Sequence, residues 1–223
     1  LAAGILERAG DDLQELPRLL VLLPTRRTCR ALSEAFLRCR EGRALLLPRL
    51  VPLGDLDEDE LAIAEAGEVA LGGTAAGNLD APPAVSALRR RLLLTRLVLG
   101  LDREGTTPDQ AARLAEELAR LLDQVRTERV SFDGLADLVP EDYADHWQRT
   151  LDFLKIITEN WPAILAEEGC VDAAERRNMV LEAQARAWRD KPPPHAVIAA
   201  GSTGSIPATA DLLGVVAGLP RGC

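Results

Sequence analysis

The chain has 223 residues, a formal net charge of −9 and a hydrophobic fraction of 47%. No apolar run approaches the roughly 18 to 20 residues that a membrane-spanning helix needs, so the composition predicts a soluble protein, which we expect in the cytoplasm. The acidic balance argues against a self-sufficient nucleic-acid-binding domain, because affinity for a phosphate backbone rests on Lys and Arg.

The charges are segregated along the first third of the chain. Residues 25–49 hold seven arginines against two glutamates, a net +5, whereas residues 50–82 hold eight acidic residues and no basic one. Two interpretations stay open: a solvated surface whose charges are unevenly distributed, or a basic surface that meets an anion.

The first predicted elements are a strand, a helix and a second strand. The apolar run 18–23 ends at Pro24 and is too short for a helix, which predicts a buried strand. Thr25 can cap a following helix, and a second apolar run, 43–47, stops at Pro48. The order predicts the start of a parallel α/β sheet. The predicted buried face of the helix is Cys29, Leu32, Phe36 and Cys39.

The middle of the chain is predicted to be helical. The acidic stretch 57–68 favours a short helix, glycines and prolines over 71–83 indicate a linker, and apolar spacing near 3.6 continues over 84–191. The predicted apolar faces are Val85, Leu88, Leu92 and Leu99, with Leu93, Leu94 and Leu97 widening it, in one helix; Ala111, Leu114, Leu118, Leu121 and Val125 in a second that starts at Thr107 and Pro108; Trp147, Leu151, Leu154, Trp161 and Leu165 in a third that Pro162 should kink or end; and Val180, Ala183, Ala187 and Trp188 in a fourth that opens at Asp172.

The chain then returns to α/β structure. Residues 195–200 predict a strand, and a helix is predicted over 207–216. The predicted organisation is therefore an α/β core interrupted by a helical insertion. Its segments are 1–70 for the first part of the core, 71–83 for the linker, 84–191 for the insertion and 192–223 for the resumed core.

Two segments follow predicted strands, at the edge where parallel sheets bind ligands. The first places hydroxyl and guanidinium groups at a helix N-terminus, suited to phosphates; its residues are Thr25, Arg26, Arg27 and Arg30. The second is a loop of small residues that a nucleic-acid backbone could approach closely, formed by Gly201, Ser202, Thr203, Gly204 and Ser205. A structural turn and a surface arginine pair remain the alternative interpretations.

The residue types and motifs that the sequence lacks also limit the chemistry that the chain can perform. The only lysines are Lys155 and Lys191, so the chain has neither the lysine of a GxxxxGK[ST] phosphate loop nor that of a PD-(D/E)xK nuclease. Residues 201–204 do not match the GxSxG spacing of a serine hydrolase. We therefore expect no catalytic residue and no metal site in this chain. The cysteines, Cys29, Cys39, Cys170 and Cys223, have no CxxC spacing and are predicted to be reduced.

Several long phrases carry a family resemblance. They are LVLLPTRRTCRALSEAFL at 20–37, LLPRLVPLGDLDEDE at 46–60, PPAVSALRRRL at 82–92 and HAVIAAGSTGSIPAT at 195–209. Together they resemble the AddB family of bacterial double-strand break repair proteins, over essentially the whole chain. Members of this family are subunits of the heterodimeric AddAB helicase-nuclease, which processes broken DNA ends for recombination.

The resemblance implies the N-terminal helicase-like region of such a subunit. It implies a RecA-like core of the superfamily 1 helicase type with a helical 1B-type insertion, and it places residues 25–30 where such helicases contact single-stranded DNA. The motor would come from an AddA-type partner, the nuclease domain would lie beyond Cys223, and some members carry a phosphate loop upstream. ATP, Mg²⁺ and an iron-sulfur cluster would belong to the parent complex, with no cofactor in this chain.

The leading functional expectation is a non-catalytic module that guides DNA and docks a partner subunit, without membrane contact. One rival is a structural scaffold that touches only protein, for which acidic charge and leucine-rich helices are enough. A second rival is a small-molecule enzyme that uses the loop 201–205, although no acid, base or nucleophile pairs with that loop.

Overall fold

The computed structural model describes residues 1–10, 13–41, 43–54, 81–101, 106–131 and 154–223. The described chain is mostly helical with a small parallel sheet, which is compatible with the predicted α/β class. Within these ranges no helix is long and apolar enough to cross a membrane. The helices are α1 (Ala2–Ala9), α2 (Arg26–Cys39), α3 (Ala87–Leu101), α4 (Pro108–Glu128), α5 (Trp161–Glu167), α6 (Ala173–Asp190) and α7 (Pro207–Gly218), and the strands are β1 (Leu20–Leu23), β2 (Arg49–Pro52) and β3 (Val197–Ala199).

The chain divides into two compact units. The sheet unit consists of Leu1–Asp80 and Met179–Cys223, and the helical unit consists of Ala81–Asn178, so that the second break falls inside α6. The helix predicted over 57–68 and most of the predicted linker lie outside the described residues. The predicted segment boundaries themselves stay a prediction.

The sheet has the order β2-β1-β3, and both neighbouring pairs are parallel. In the register, Leu20 of β1 lies between Arg49 of β2 and Val197 of β3. The central strand is buried at all four positions, because helices cover both faces of the sheet. The predicted strands around 18–23 and 195–200, and the helix between Thr25 and Cys39, are confirmed.

The predicted second strand was wrong in its position. Residues 43–48 form no strand, and the ladder begins where the Arg49 N–H donates to the Leu19 carbonyl oxygen at 2.9 Å. Leu45 and Leu47 still pack on the core, whereas Leu46 is 69% exposed. The apolar run therefore alternates between buried and exposed side chains as a strand does, but it is not hydrogen bonded to β1 as a strand. The strand lies after Pro48 because that is where the chain reaches β1.

The two faces of the sheet are packed by different helices. Leu20, Leu22 and Val197 pack against buried residues of α6 and α7, among them Trp188 and Leu212. Side chains alternate along a strand, so the intervening residues meet the other face. These are Val21, Leu23 and Ile198, which pack with α1 and α2 through Ile5, Leu32 and Phe36. Cys39 is exposed, which corrects its predicted place on the buried face of α2.

A short segment after α7 extends the sheet. The Ala199 N–H donates to the Cys223 carbonyl oxygen at 2.7 Å, and the Cys223 N–H donates to the Val197 carbonyl oxygen at 3.0 Å. Gly222 lies between these bonds, and a Cβ there would overlap the Val216 carbonyl oxygen. Only glycine fits this position.

In the helical unit, the predicted inner face of α3 was wrong at Leu88 and Leu92, whereas the predicted Leu93, Leu94, Leu97 and Leu99 belong to the core or pack against it. Leu94 and Val98 are buried, together with Arg90, while Leu88 and Leu92 are 69% and 61% exposed. The helix carries leucines all round, so apolar spacing does not select one face. Arg90 forms ion pairs with Asp123 and Asp172, and these pairs require its side chain to point inward. The observed orientation of α3 agrees with that requirement.

The start of α4 is confirmed, but part of its predicted register is corrected. The Gln110 side chain accepts a hydrogen bond from the Thr107 N–H at 3.0 Å, and Pro108 occupies the first turn. The buried positions are Ala111, Ala115, Leu118 and Leu122. The predicted Leu114 and Leu121 are 39% and 36% exposed, because the four-and-three spacing of the buried face runs through Ala115 and Leu122 instead.

The expected disturbance near Pro162 takes the form of a π-helical turn. This turn, Ile156–Asn160, runs directly into α5, and the Trp161 N–H donates to the carbonyl oxygen of Ile156, five residues back. Pro162 then lies in the first turn of α5, where its missing N–H costs nothing. Trp161 is buried, as predicted, while Trp147 and Leu151 lie outside the described residues.

The fourth predicted helix is confirmed as α6. Val180 and Trp188 are buried, and Ala183 and Ala187 are half-buried. Asp172, just before the helix, is only 1% exposed, and its carboxylate accepts from the Trp161 indole N–H at 3.0 Å. That carboxylate therefore contributes to the interior of the helical unit.

Candidate functional site

The carboxyl ends of the three strands bring the predicted site segments to one edge of the sheet. The Leu53 N–H donates to the Leu23 carbonyl oxygen at 2.7 Å, and the Ala200 N–H donates to that of Leu22 at 3.0 Å. The chain therefore leaves all three strands side by side, as parallel pairing requires. We call the region formed by residues 24–30, 53–54 and 200–205 the carboxyl edge.

Pro24 lies at the centre of the carboxyl edge. The Gly54 N–H donates to the Pro24 carbonyl oxygen at 2.9 Å, and a Cβ at Gly54 would lie 2.6 Å from that oxygen. Gly201 adopts a φ of 74°, and a Cβ there would lie 3.6 Å from the Pro24 ring. The missing side chain of Gly54 thus lets the loop after β2 approach the start of α2, and glycine at position 201 permits the positive φ of the loop after β3.

Thr25 begins α2 with a reciprocal cap. Its hydroxyl oxygen accepts from the Thr28 N–H at 3.2 Å, and the Thr28 hydroxyl oxygen accepts from the Thr25 N–H at 3.1 Å. The Thr28 hydroxyl also donates to the Thr25 carbonyl oxygen at 2.6 Å. Both hydroxyls are engaged within the helix start, so the contribution of Thr25 to a ligand site is to fix the first turn.

Arg27 and Arg30 form the cationic part of the carboxyl edge. Both are exposed and lie three residues apart on α2, which places them next to each other on the helix surface. Among the described residues, no carboxylate forms an ion pair with either. Arg26 is half-buried beside them. The positive end of the helix dipole adds to their attraction for an anion.

The arginines of residues 25–49 form one basic stretch in the sequence, but helix α2 places them at two different ends in the structure. Arg40 follows its last residue, about 20 Å along the helix from Arg26. Arg38, in the last turn, lies 3.8 Å from Glu34. Only the first three arginines of the stretch therefore belong to the carboxyl edge.

The loop 201–205 supplies backbone rather than acid-base chemistry. Gly204 also has a positive φ, 65°, and its N–H donates to the Ser202 hydroxyl oxygen at 3.4 Å. In the described part of the chain, neither Ser202 nor Ser205 is hydrogen bonded to a histidine or a carboxylate. Helix α7 begins two residues later at Pro207, so a second helix N-terminus lies at this edge.

The residues of the carboxyl edge do not fit a nucleotide-hydrolysing site. The segment from β1 to α2 reads Pro-Thr-Arg-Arg-Thr, with neither the glycines nor the lysine of a phosphate loop. Lys155 belongs to the helical unit, and Lys191 follows α6. The described residues contain no group of three or more His, Cys, Asp and Glu that could hold a metal ion. All four cysteines are free thiols.

Two polar residues that the sequence analysis did not select lie at the opposite, amino edge of the sheet. Arg49 is the first residue of β2, and His195 lies two residues before β3. Burial lowers the pKa of Arg49, and burial, followed by the charge of Arg49, lowers the pKa of His195. Each follows a proline at the start of a strand, Pro48 and Pro194, and this shared position is the signal that could have paired them.

Comparison of the chain with family models, curated protein sequences and solved structures finds no match. The assignment of function therefore rests on the residues and their geometry.

Proposed function

We propose that this chain is the helicase-like region of an AddB-type double-strand break repair subunit. In this proposal the sheet unit is a RecA-like core, and the helical unit is a 1B-type insertion between β2 and β3. The chain does not catalyse; it guides DNA and docks an AddA-type motor subunit while broken ends are processed in the cytoplasm. The phrases shared with the family and the interrupted α/β order support this assignment.

The observation that carries the proposal is the exposed pair Arg27 and Arg30 at the carboxyl edge. These guanidinium groups stand at the N-terminus of α2, on the side of a parallel sheet where ligands bind. Guanidinium groups there match the charge and shape of backbone phosphates. Such contacts fix the position of DNA without reading its sequence.

The loop 201–205 fits the same role. Gly201 and Gly204 have positive φ angles and carry no side chain, so a sugar-phosphate backbone can approach the main chain there. The loop adjoins Pro24 at the start of the arginine segment. A strand of DNA lying across the carboxyl edge would therefore meet backbone amides on one side and arginines on the other.

The test is the salt dependence of DNA binding by the assembled heterodimer, since the chain's net charge of −9 repels DNA at long range. Each lost phosphate contact lowers the slope of log affinity against log salt by about 0.7 on single strands. Replacing Arg26, Arg27 and Arg30 together with alanine should lower the slope by roughly 2. Sequence preference should not change.

A control with the same change in charge replaces Arg8, Arg113 and Arg189, which are exposed and lie on α1, α4 and α6. That variant should keep the wild-type slope. Equal slopes for the wild type and the first variant would reject the DNA-contact role. They would favour the rival scaffold, for which the exposed Leu88 and Leu92, one turn apart on α3, offer a protein-docking surface.

A further inference from the structure

Arg49 and His195 lie on either side of the start of the central strand. Leu20, the first residue of β1, pairs in register with Arg49 on one side and with Val197 on the other, and its N–H donates to the Ala196 carbonyl oxygen at 3.0 Å. Val51, two residues after Arg49, packs in the core beneath α6 and α7, and so does Val197. Alternation along β2 therefore directs Arg49 to the face of the sheet that Val197 shares.

Each of these side chains has a shielded nitrogen without a hydrogen-bond partner in the described part of the chain. Arg49 Nη2 and His195 Nε2 are shielded from solvent and, among the described residues, have no hydrogen-bond partner. Both residues are otherwise half-buried, so other atoms of each side chain are exposed to solvent. A shielded donor without an acceptor is costly, and the described carboxylates form no ion pair with Arg49 to offset that cost.

A second guanidinium group borders the pair. The Arg221 guanidinium donates to the Pro194 carbonyl oxygen at 3.1 Å, immediately before His195. The charge of Arg49 is also near enough to His195 to disfavour protonation of its ring. The amino edge therefore holds two guanidinium groups near the His195 ring, and an anion between Arg49 and His195 would reverse the effect of Arg49 on that ring.

We propose that a tetrahedral phosphate group binds at the amino edge between Arg49 and His195. The guanidinium presents planar donors suited to two phosphate oxygens, and the imidazole, once protonated, donates to a third. A dianion supplies acceptors for both shielded nitrogens and balances their charge. This site is separate from the carboxyl edge, since the four-residue strand β1 holds the two edges about 13 Å apart.

The experiment follows the His195 ring by NMR in the full chain, in a His146→Gln background that leaves one histidine. Inorganic phosphate, compared with chloride at equal ionic strength, should raise the pKa of His195 by about 1 unit, because an opposite charge then lies beside the ring. In parallel, calorimetry measures phosphate affinity directly. Arg49→Met should lower that affinity about tenfold and abolish the NMR shift.

Two further variants keep the result interpretable. Arg8→Met removes an exposed arginine from α1 of the same unit and should leave phosphate affinity unchanged. Arg49→Lys keeps the charge but not the planar fork, and should bind with intermediate affinity even if Arg49→Met folds poorly. A phosphate effect that survives Arg49→Met in a folded protein would overturn the proposal.

A second ligand distinguishes between two sources of the phosphate group, a free phosphate dianion and a phosphodiester. A short oligonucleotide without terminal phosphates offers only phosphodiesters, whereas inorganic phosphate offers the free dianion. A shift with either ligand supports the site and names its source. No shift with both ligands in the wild-type chain would reject the site.

Discussion

Several arginines of the helical unit differ from two arginines of the sheet unit in what surrounds them. In the helical unit, Arg89, Arg91 and Arg120 are paired with glutamates, and Arg90 is buried with two aspartates. In the sheet unit, Arg27 and Arg30 have no carboxylate partner among the described residues. The same side chain stabilises the fold where an acid lies within reach, and is available to an outside anion where none does.

The interior of the helical unit is organised around Arg90. Its Nε lies 2.9 Å from one Asp172 oxygen, and its Nη1 lies 2.9 Å from Asp123. Its Nη2 donates to the Ala119 carbonyl oxygen at 3.2 Å, and Trp161 donates to the second Asp172 oxygen at 3.0 Å. The Asp172 side chain is fully shielded, so its charge depends on the ion pair with Arg90 and on the hydrogen bond from Trp161.

The largest expected effect is therefore the loss of Arg90. Arg90→Met leaves the Asp172 carboxylate buried with one neutral donor, which should cost about 3 to 5 kcal/mol of the free energy of unfolding. Urea unfolding measures the loss, and hydrogen exchange locates it. Amides of α3 and α4 should lose protection, whereas those of β1 should keep it.

A matched control lies next to it in the sequence. Arg89 is exposed and makes two short hydrogen bonds with Glu168, so Arg89→Met should cost little. Adding Asp172→Asn to Arg90→Met removes the stranded charge and should restore much of the loss. If Arg89→Met and Arg90→Met were equally destabilising, the contrast between buried and exposed pairs would be wrong.

The difference between local and long-range interactions explains which features the sequence could predict. Prolines and caps act locally, so Pro24, Thr25, Thr107 and Pro108 marked element ends correctly. The inward face of α3 depends on Asp172, about eighty residues away, and apolar spacing carries no information about that partner. The position of β2 likewise depended on where the chain meets Leu19.

The candidate sites show the same division. Thr25 to Arg30 and the loop 201–205 follow predicted strands, so their adjacency follows from parallel pairing alone. Arg49 was missed because the second strand was predicted to end before Pro48, and His195 because it looked like an ordinary residue at the start of a strand. Only the pairing of both strands with β1 brings them to one edge.

A smaller effect should follow loss of the Thr25 cap in the sheet unit. Thr25→Ala removes the acceptor for the Thr28 N–H and should cost about 1 kcal/mol of the free energy of unfolding. Thr25→Ser keeps the hydroxyl and should restore most of this stability. Protection should fall first in the opening turn of α2, as measured by hydrogen exchange.

This variant also sharpens the proposed DNA contact. Since the Thr25 hydroxyl is engaged by α2, Thr25→Ala should leave the salt slope of DNA binding close to wild type, in contrast to the triple arginine variant. A drop in slope as large as that variant shows would mean that Thr25 itself contacts phosphate, and the cap would not be its main role.

The smallest expected effect is a pH dependence of stability that differs between the sheet unit and the helical unit. Burial and the nearby Arg49 lower the pKa of His195 below its ordinary value of 6.5, so the unfolded chain binds more protons at this residue than the folded one. The stability associated with neutral His195 is therefore fully present above pH 6.5 and is lost as the pH falls through the lowered value. In the helical unit, hydrogen bonding to Arg89 lowers the pKa of Glu168 from 4.5, so its contribution is lost only in more acidic solution. Urea midpoints should be measured below pH 6.5 but above the pH at which Glu168 titrates. As the pH is lowered over this range, the midpoint should decrease in the wild type and should decrease less in His195→Gln. Arg49→Met removes one of the two causes and should give an intermediate slope. Equal slopes in all three proteins would show that His195 titrates as it does in the unfolded chain, and that the charge of Arg49 does not act on it.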